Sequence, residues 1–216
     1  MGAFLAITLP IGFGVGVFYL VVRVSQVTLE KIQQQFSHLA DAYKLDYLET
    51  EGTLKIFKKF PALQGELNGK TFYLFMYTKG SGKHQKTYTS FRLQTHNPKG
   101  YTLKLSKEGF FSKVGKRFGM QDIQVGDAEF DPLYIIQGSD VYFAQSVLTN
   151  NVKEQMALAS SIFKGTMKVQ GDVIEYTELT MMKNREKREM IEQLISIAQA
   201  LSDSIDQFSN HRQDPA

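Results

Sequence analysis

The first stretch whose residue types could do chemistry is Gly80-Ser81-Gly82-Lys83-His84, a glycine-rich run around a lysine. A phosphate-cradling loop of the P-loop type also needs glycine five positions before its Gly-Lys pair, and a hydroxyl after it to meet the metal ion. Those positions hold Tyr77 and His84, so the run reads as a flexible hairpin loop. Asp122, Asp127, Glu129 and Asp131 could gather a hard cation through carboxylate oxygens. A calcium loop beginning at Asp127 would want glycine where Pro132 stands, and turn formation or capping accounts for Asp127 and Asp131. His38, His84 and His96 fall in separate elements, His211 falls in the tail, and there is no cysteine. No catalytic residue, metal set or cofactor signature is therefore named, and disulfides are excluded.

Charge is the feature that stands out. Residues 79–117 carry ten Lys and Arg against one acid, Glu108, a local net of +9, whereas the whole chain carries +3. Residues 118–160 reverse the sign, with six acids against Lys153 for a net of −5. Lysines on strand edges and loops keep a sheet from pairing with other chains, which explains part of the basic excess. The remainder points to an anionic partner. Lys113, Lys116 and Arg117 lie within five residues beside Phe110, Phe111 and Phe118, which could dip into a membrane interface. With Lys83 and Lys86 they are the candidate contacts for an anion or a lipid headgroup. Aromatic residues among the basic ones, such as Tyr88, Phe91 and Tyr101, suggest an alternative, a nucleic-acid-binding domain at the membrane. An enzyme with an unrecognised site is the third reading, and nucleic acid is the less favoured partner.

These residues hang behind one long apolar run. Residues 3–22, AFLAITLPIGFGVGVFYLVV, contain no charge and end at Arg23. Twenty such residues suffice for a helix across a hydrocarbon core of about 30 Å. A secretory signal would carry a basic side chain before the run and small residues after it, and a buried core helix would show a polar stripe where only Thr8 and Tyr19 stand. Pro10 predicts a bend, and the spacing of Gly12 and Gly16 fits a homodimer packed through the membrane helix. Arg23 and Lys31 follow an uncharged start, which predicts a single-pass membrane protein with its soluble domain on the cytoplasmic side.

The expected organisation is a transmembrane anchor at 1–23, a helical stalk at 24–51, a soluble α+β domain at 52–209 and a disordered tail at 210–216. In the stalk Ile32, Phe36, Leu39, Tyr43 and Tyr47 recur at helical spacing, and Glu51-Gly52 ends the helix. Asn68-Gly69 supplies a two-residue turn between strands at 62–67 and 71–78. The second of these, TFYLFMYT, is apolar on both faces, which predicts cover on both sides. Further strands are expected at 87–95, at 101–106 with half-burial, and at 133–137. Asp140 predicts a helix cap, Asn151 with Glu154 a second, and 167–169 with 173–177 a closing hairpin. A long helix over 183–208 carries Ile191, Leu194, Ile195, Ala198, Leu201, Ile205 and Phe208 on one face. The fold class is thus α+β: an N-terminal transmembrane helix and stalk, then a mainly antiparallel sheet with helices packed on one face. A content of 43% hydrophobic residues and a mean hydropathy of −0.23 agree with an ordinary globular domain.

The order QDIQVGDAEFD, YIIQGSD, SVLTNNVKEQM and VIEYTEL, followed by a long helix rich in leucine and isoleucine, resembles a family of bacterial single-pass membrane-anchored proteins of unknown function. In that family a Gly-Asp-x-x-Phe-Asp segment precedes a strand, and Gly126, Asp127, Phe130 and Asp131 carry the likeness over residues 60–207. The resemblance implies an α+β domain behind an anchor and no particular chemistry. Together these readings predict a membrane-tethered, non-enzymatic interaction module. Its expected partners are membrane lipids, an acidic protein and a second copy of the chain.

Overall fold

The computed structural model describes residues 2–49, 60–107 and 121–211, and within them the side chains of 2–18, 20, 21 and 211 stay outside the description. Helix α1, Gly2–Tyr43, is continuous in its backbone. It ends because Lys44 adopts a left-handed φ of 54° and the Leu45 N–H closes on the Ala40 carbonyl at 2.9 Å. That ending turns the chain straight into β1, Asp46–Leu48. Tyr47 therefore sits in a strand and not on the helix face the periodicity assigned it. No glycine marks this turn, so the sequence carried no signal for it. The expected end at Glu51-Gly52 lies outside the described residues, as does most of the apolar run's side-chain chemistry. Among the residues whose side chains are described, which leave out nearly all of the run 3–22, no helix is long and apolar enough to cross a membrane.

Asn68 and Gly69 take φ of 51° and 74°, the two positive angles the tight turn between β2, Ala62–Leu67, and β3, Lys70–Lys79, requires. A short 3-10 turn at Gly82–His84 then leads into β4, Lys86–Gln94. Next come β5, Leu103–Ser106, β6, Gln121–Ile123, and β7, Ile135–Gly138. Helices α2, Val141–Val147, and α3, Asn150–Leu158, precede the hairpin of β8, Thr166–Gln170, and β9, Val173–Glu178. Helix α4, Arg185–His211, closes the domain. The nine described strands form one sheet in the order β1-β2-β3-β4-β9-β8-β5-β7-β6. Every described pairing is antiparallel.

Register decides which face is buried, because side chains alternate along each strand. Phe72, Leu74 and Met76 of β3 face Leu93, Phe91 and Thr89 of β4, which in turn face Ile174, Tyr176 and Glu178 of β9. Val169 and Met167 of β8, then Leu103 and Leu105 of β5, continue the same face. All of these are buried in one core with Ile32, Phe36 and Leu39 of α1, Phe143 of α2, Met156 of α3 and the apolar stripe of α4. The expected stalk thus contributes Ile32, Phe36, Leu39, Ala40 and Leu45 to the domain core. The opposite face of β3 is half-covered at Tyr73, Phe75 and Tyr77, so among the described residues the full cover on both sides that its composition suggested is not seen. Aromatic strands tolerate such a face because neighbouring rings shield one another. β5 departs the other way, with all four residues buried where half-burial was expected. The cap of α3 is Thr149, whose hydroxyl accepts the Val152 N–H at 3.5 Å, while Asn151 bonds Gln155 instead.

Ile195 is 1% exposed beneath the sheet. Ile195→Asp would leave an unpaired carboxylate there and should cost roughly 3–5 kcal/mol. Urea unfolding of the detergent-solubilised chain reads this as a shifted midpoint, and an unchanged midpoint would mean that face of α4 lies exposed.

Candidate functional site: the outer face of the sheet and its basic end

The outer face is built from the residues that alternate with the core. Tyr73, Phe75 and Tyr77 follow one another on β3 and stack with ring centroids 5.0 and 5.8 Å apart. Tyr77 lies directly opposite Tyr88 on β4, and those rings stack at 5.3 Å. Arg92 holds its guanidinium carbon 5.3 Å from the Phe75 ring centroid, while its Nε donates to Glu175 at 2.7 Å. The ion pair is largely exposed and contributes little to stability; it mainly orients Arg92 along the ring row. Burial, with the Glu175 charge beside it, raises the Tyr77 pKa, so its hydroxyl stays protonated.

Farther across the sheet Lys168, Lys104, Gln137 and Asp122 stand in register on four neighbouring strands. Lys104 donates to the Gln137 carbonyl oxygen at 3.1 Å, and the Gln137 amide donates to Asp122 at 2.9 Å. Lys104 is 4% exposed, and burial, aided by Lys168, lowers its pKa. One member of the basic run is therefore a buried structural side chain.

Two of the acidic residues considered for a cation, Asp127 and Asp131, are occupied by their own loop. Asp131 accepts the backbone N–H groups of Val125, Gly126 and Asp127 at 3.0–3.2 Å. Asp127 accepts those of Glu129 and Phe130 and pairs with Lys153 at 2.6 Å. The hydrogen bond from Lys153 leads the causes that lower the Asp127 pKa. Gly126 supplies the positive φ of 80° on which this double turn is built. Among the described residues no three His, Asp or Glu stand where they could hold a metal ion.

The sequence candidates separate in space. Lys83 and Lys86 are exposed at the β3–β4 turn together with Lys79. Lys79 and Lys86 are direct cross-strand partners, a like-charge pair that costs free energy unless an anion approaches. Lys99 sits at the opposite end of the sheet, in the turn that the Gly100 N–H closes on the Asn97 carbonyl. Gly12 and Gly16 fall on α1, and Lys113, Lys116 and Arg117 lie outside the described residues. What the sequence did not reveal is the company the turn keeps. Thr89 is paired with Glu178 and its hydroxyl donates to the Thr180 carbonyl, so Leu179, Met181 and Lys183 stand at the same end as the lysines. Lys164 and Lys187 act on the Glu178 carboxylate, which places them there too. Leu179 is 45% and Met181 36% exposed. No linear pattern joins residues 79–86 to 164–187.

No protein-family model matches the chain, and no curated protein matches it. Among solved structures, the crystal structure of the mycobacterial trehalose monomycolate transport factor A, TtfA, is similar to it with a TM-score of 0.56 and 12% sequence identity. The match covers 81% of this chain and 94% of that one. At that identity the likeness speaks for the fold alone.

Glu178 closes the inner face at this end, 4% exposed, with the Tyr176 hydroxyl donating to it at 2.7 Å. Burial raises its pKa above the ordinary 4.5, against the pull of Tyr176 and Lys187. The folded state therefore binds the proton more tightly than the unfolded state, and stability falls as pH rises from about 4.5 through the raised value. Glu178→Gln keeps an acceptor for Tyr176, so the variant should be at least as stable as the native chain at pH 7 and lose this slope. Urea midpoints across pH 4.5–7 test it; a variant that is less stable and still slopes would show that the ionised carboxylate is needed.

Proposed function

We propose that this chain is a membrane-tethered, non-enzymatic interaction module. The observation that carries the reading is α1. Its first half is the uncharged run 3–22, its backbone continues unbroken to Tyr43, and its last turns bury Ile32, Phe36 and Leu39 in the core. A helix apolar over the thickness of a bilayer at one end and packed into a folded domain at the other makes that domain a stiff extension of its anchor. Residues 23–31 are exposed or half-exposed and link the two. Arg23 and Lys31 favour a cytoplasmic domain, and Gly12 with Gly16 would let two anchors pack. The surface offers stacked rings and lysines, which suit contact rather than bond-breaking. A similar fold in a mycobacterial transport factor is in keeping with that role. The nucleic-acid alternative is weaker on this geometry, because the rings of the outer row stack on one another at 15–29° and Arg92 is held by Glu175.

Alkaline carbonate should leave the full chain in the membrane fraction, and deletion of residues 2–22 should release it. Extraction of the full chain by carbonate would remove the tether. Protease added to intact cells should spare the domain, and cleavage there would reverse the orientation.

A further inference from the structure

We propose that the end of the sheet formed by the β3–β4 turn and the β9–α4 connection lies against the bilayer that α1 enters and binds anionic lipid headgroups. This rests on the tether proposed above and names the surface that faces the membrane.

The direction of α1 carries the first step. Two residues, Lys44 and Leu45, link α1 to β1, and α1 packs against both β1 and β2. A helix and a strand joined by so short a link can lie side by side only if they run in opposite directions. β1 runs from Asp46, opposite Gln64, to Leu48, opposite Ala62. Ala62 faces Phe75, from which β3 continues to Lys79 and its turn. β1 thus heads towards the β3–β4 turn, and α1, followed towards its N-terminus, leaves the domain at that same end. Tyr19 and Val24, 60% and 65% exposed, show the helix clear of the domain by then.

Distance carries the second step. The ten helical steps from Val22 to Ile32 rise about 15 Å at ~1.5 Å each. Headgroups occupy roughly 5–8 Å beyond the hydrocarbon edge. The remaining gap is comparable with the ~8 Å over which charges act at physiological salt.

Chemistry carries the third. No Asp or Glu occurs between Asn68 and Lys107. Lys79, Lys83 and Lys86 are exposed at this end beside Lys164 and Lys183, whereas Glu178 is buried and, among the described residues, Glu49 and Glu186 are the exposed acids nearby. Leu179 and Met181 are exposed in the connection at this same end, apolar side chains suited to the headgroup layer beside basic residues. The opposed Lys79 and Lys86 gain most from phosphate between them.

The full chain is placed in nanodiscs of neutral phosphatidylcholine or of phosphatidylcholine with 30% phosphatidylserine (an assay setting of about that fraction), and amide exchange is followed over residues 79–86 and 179–183. Exchange there should be about tenfold slower on the anionic discs, as expected when the docked state dominates. The protection should vanish at high salt and in a Lys79→Glu, Lys83→Glu, Lys86→Glu variant whose core amides exchange as before. Equal exchange on both discs, with the chain inserted, overturns the docking and leaves the tether standing. Failure to insert into either disc overturns the tether itself. Protection that appears only when membrane proteins are added overturns lipid docking in favour of an acidic protein partner.

Discussion

A chain of aromatic rings crosses the inner face of the sheet, and the domain is assembled around it. Phe72, Phe91 and Tyr176 follow one another across β3, β4 and β9 with centroids 5.9 and 5.5 Å apart. Phe163, Tyr134 and Phe130 extend the chain at 5.5, 5.2 and 5.2 Å into the segments that flank α3 and β7. Each such pair adds about 0.5–1.5 kcal/mol beyond the area it buries. The two phenols in the chain need partners in this setting, and they find them in the Met156 carbonyl and the Glu178 carboxylate. Gly165 is required because a Cβ there would approach the Thr177 carbonyl oxygen to 2.4 Å and the Tyr176 ring to 2.6 Å.

The helices complete what the rings begin. Ile191, Leu194, Ala198, Leu201 and Ile205 of α4 lie over the sheet fully buried, and each large aliphatic side chain among them contributes about 1.5–3 kcal/mol through burial. Rotation of α4 is prevented at its C-terminal half by a polar clamp. Lys70 donates to Ser202 at 2.7 Å and pairs with Asp203 and Asp206 at 2.8 Å, while Asp206 also accepts the His96 N–H. Burial opposes the charge on Lys70, but the bonds to Asp203 and Asp206 outweigh it and raise its pKa. The clamp lies at the end of the sheet away from the β3–β4 turn. One end is thus tied down by opposite charges, and the other gathers lysines.

That asymmetry gives α1 its significance. A helix attached only as a stalk would leave the domain free to tumble, and the proposed tether would then raise local concentration without choosing a face. Ile32, Phe36 and Leu39 are instead packed into the same core as α4, so the direction in which α1 leaves the domain is fixed relative to the sheet. Gly126, Asp127, Phe130 and Asp131 have a plainer part. Their carboxylates cap their own turn, and Phe130 joins the ring chain, 2% exposed.

By itself the sequence determined what depends on neighbours along the chain. Asn68-Gly69 encodes a hairpin because two positive φ angles are needed at adjacent positions, and β2 and β3 fall on either side of it. Asp140 accepts the Phe143 N–H at 2.6 Å as a cap should, and the apolar spacing over 183–208 predicts the face α4 buries. Lys83 and Lys86 were legible as exposed loop lysines for the same local reason. Tertiary structure alone decided what depends on register and on strand order. Period-two alternation cannot say whether Tyr73, Phe75 and Tyr77 meet a second layer, and among the described residues they are only half-covered. Neither composition nor spacing tells that Lys104 is buried between Lys168 and Gln137, because that follows from β5 lying between β8 and β7. Nor could the basic end be read along the chain, since it joins residues 79–86 to residues 164–187 through the pairing of β4 with β9, a contact between segments about eighty residues apart that only the folded sheet brings together.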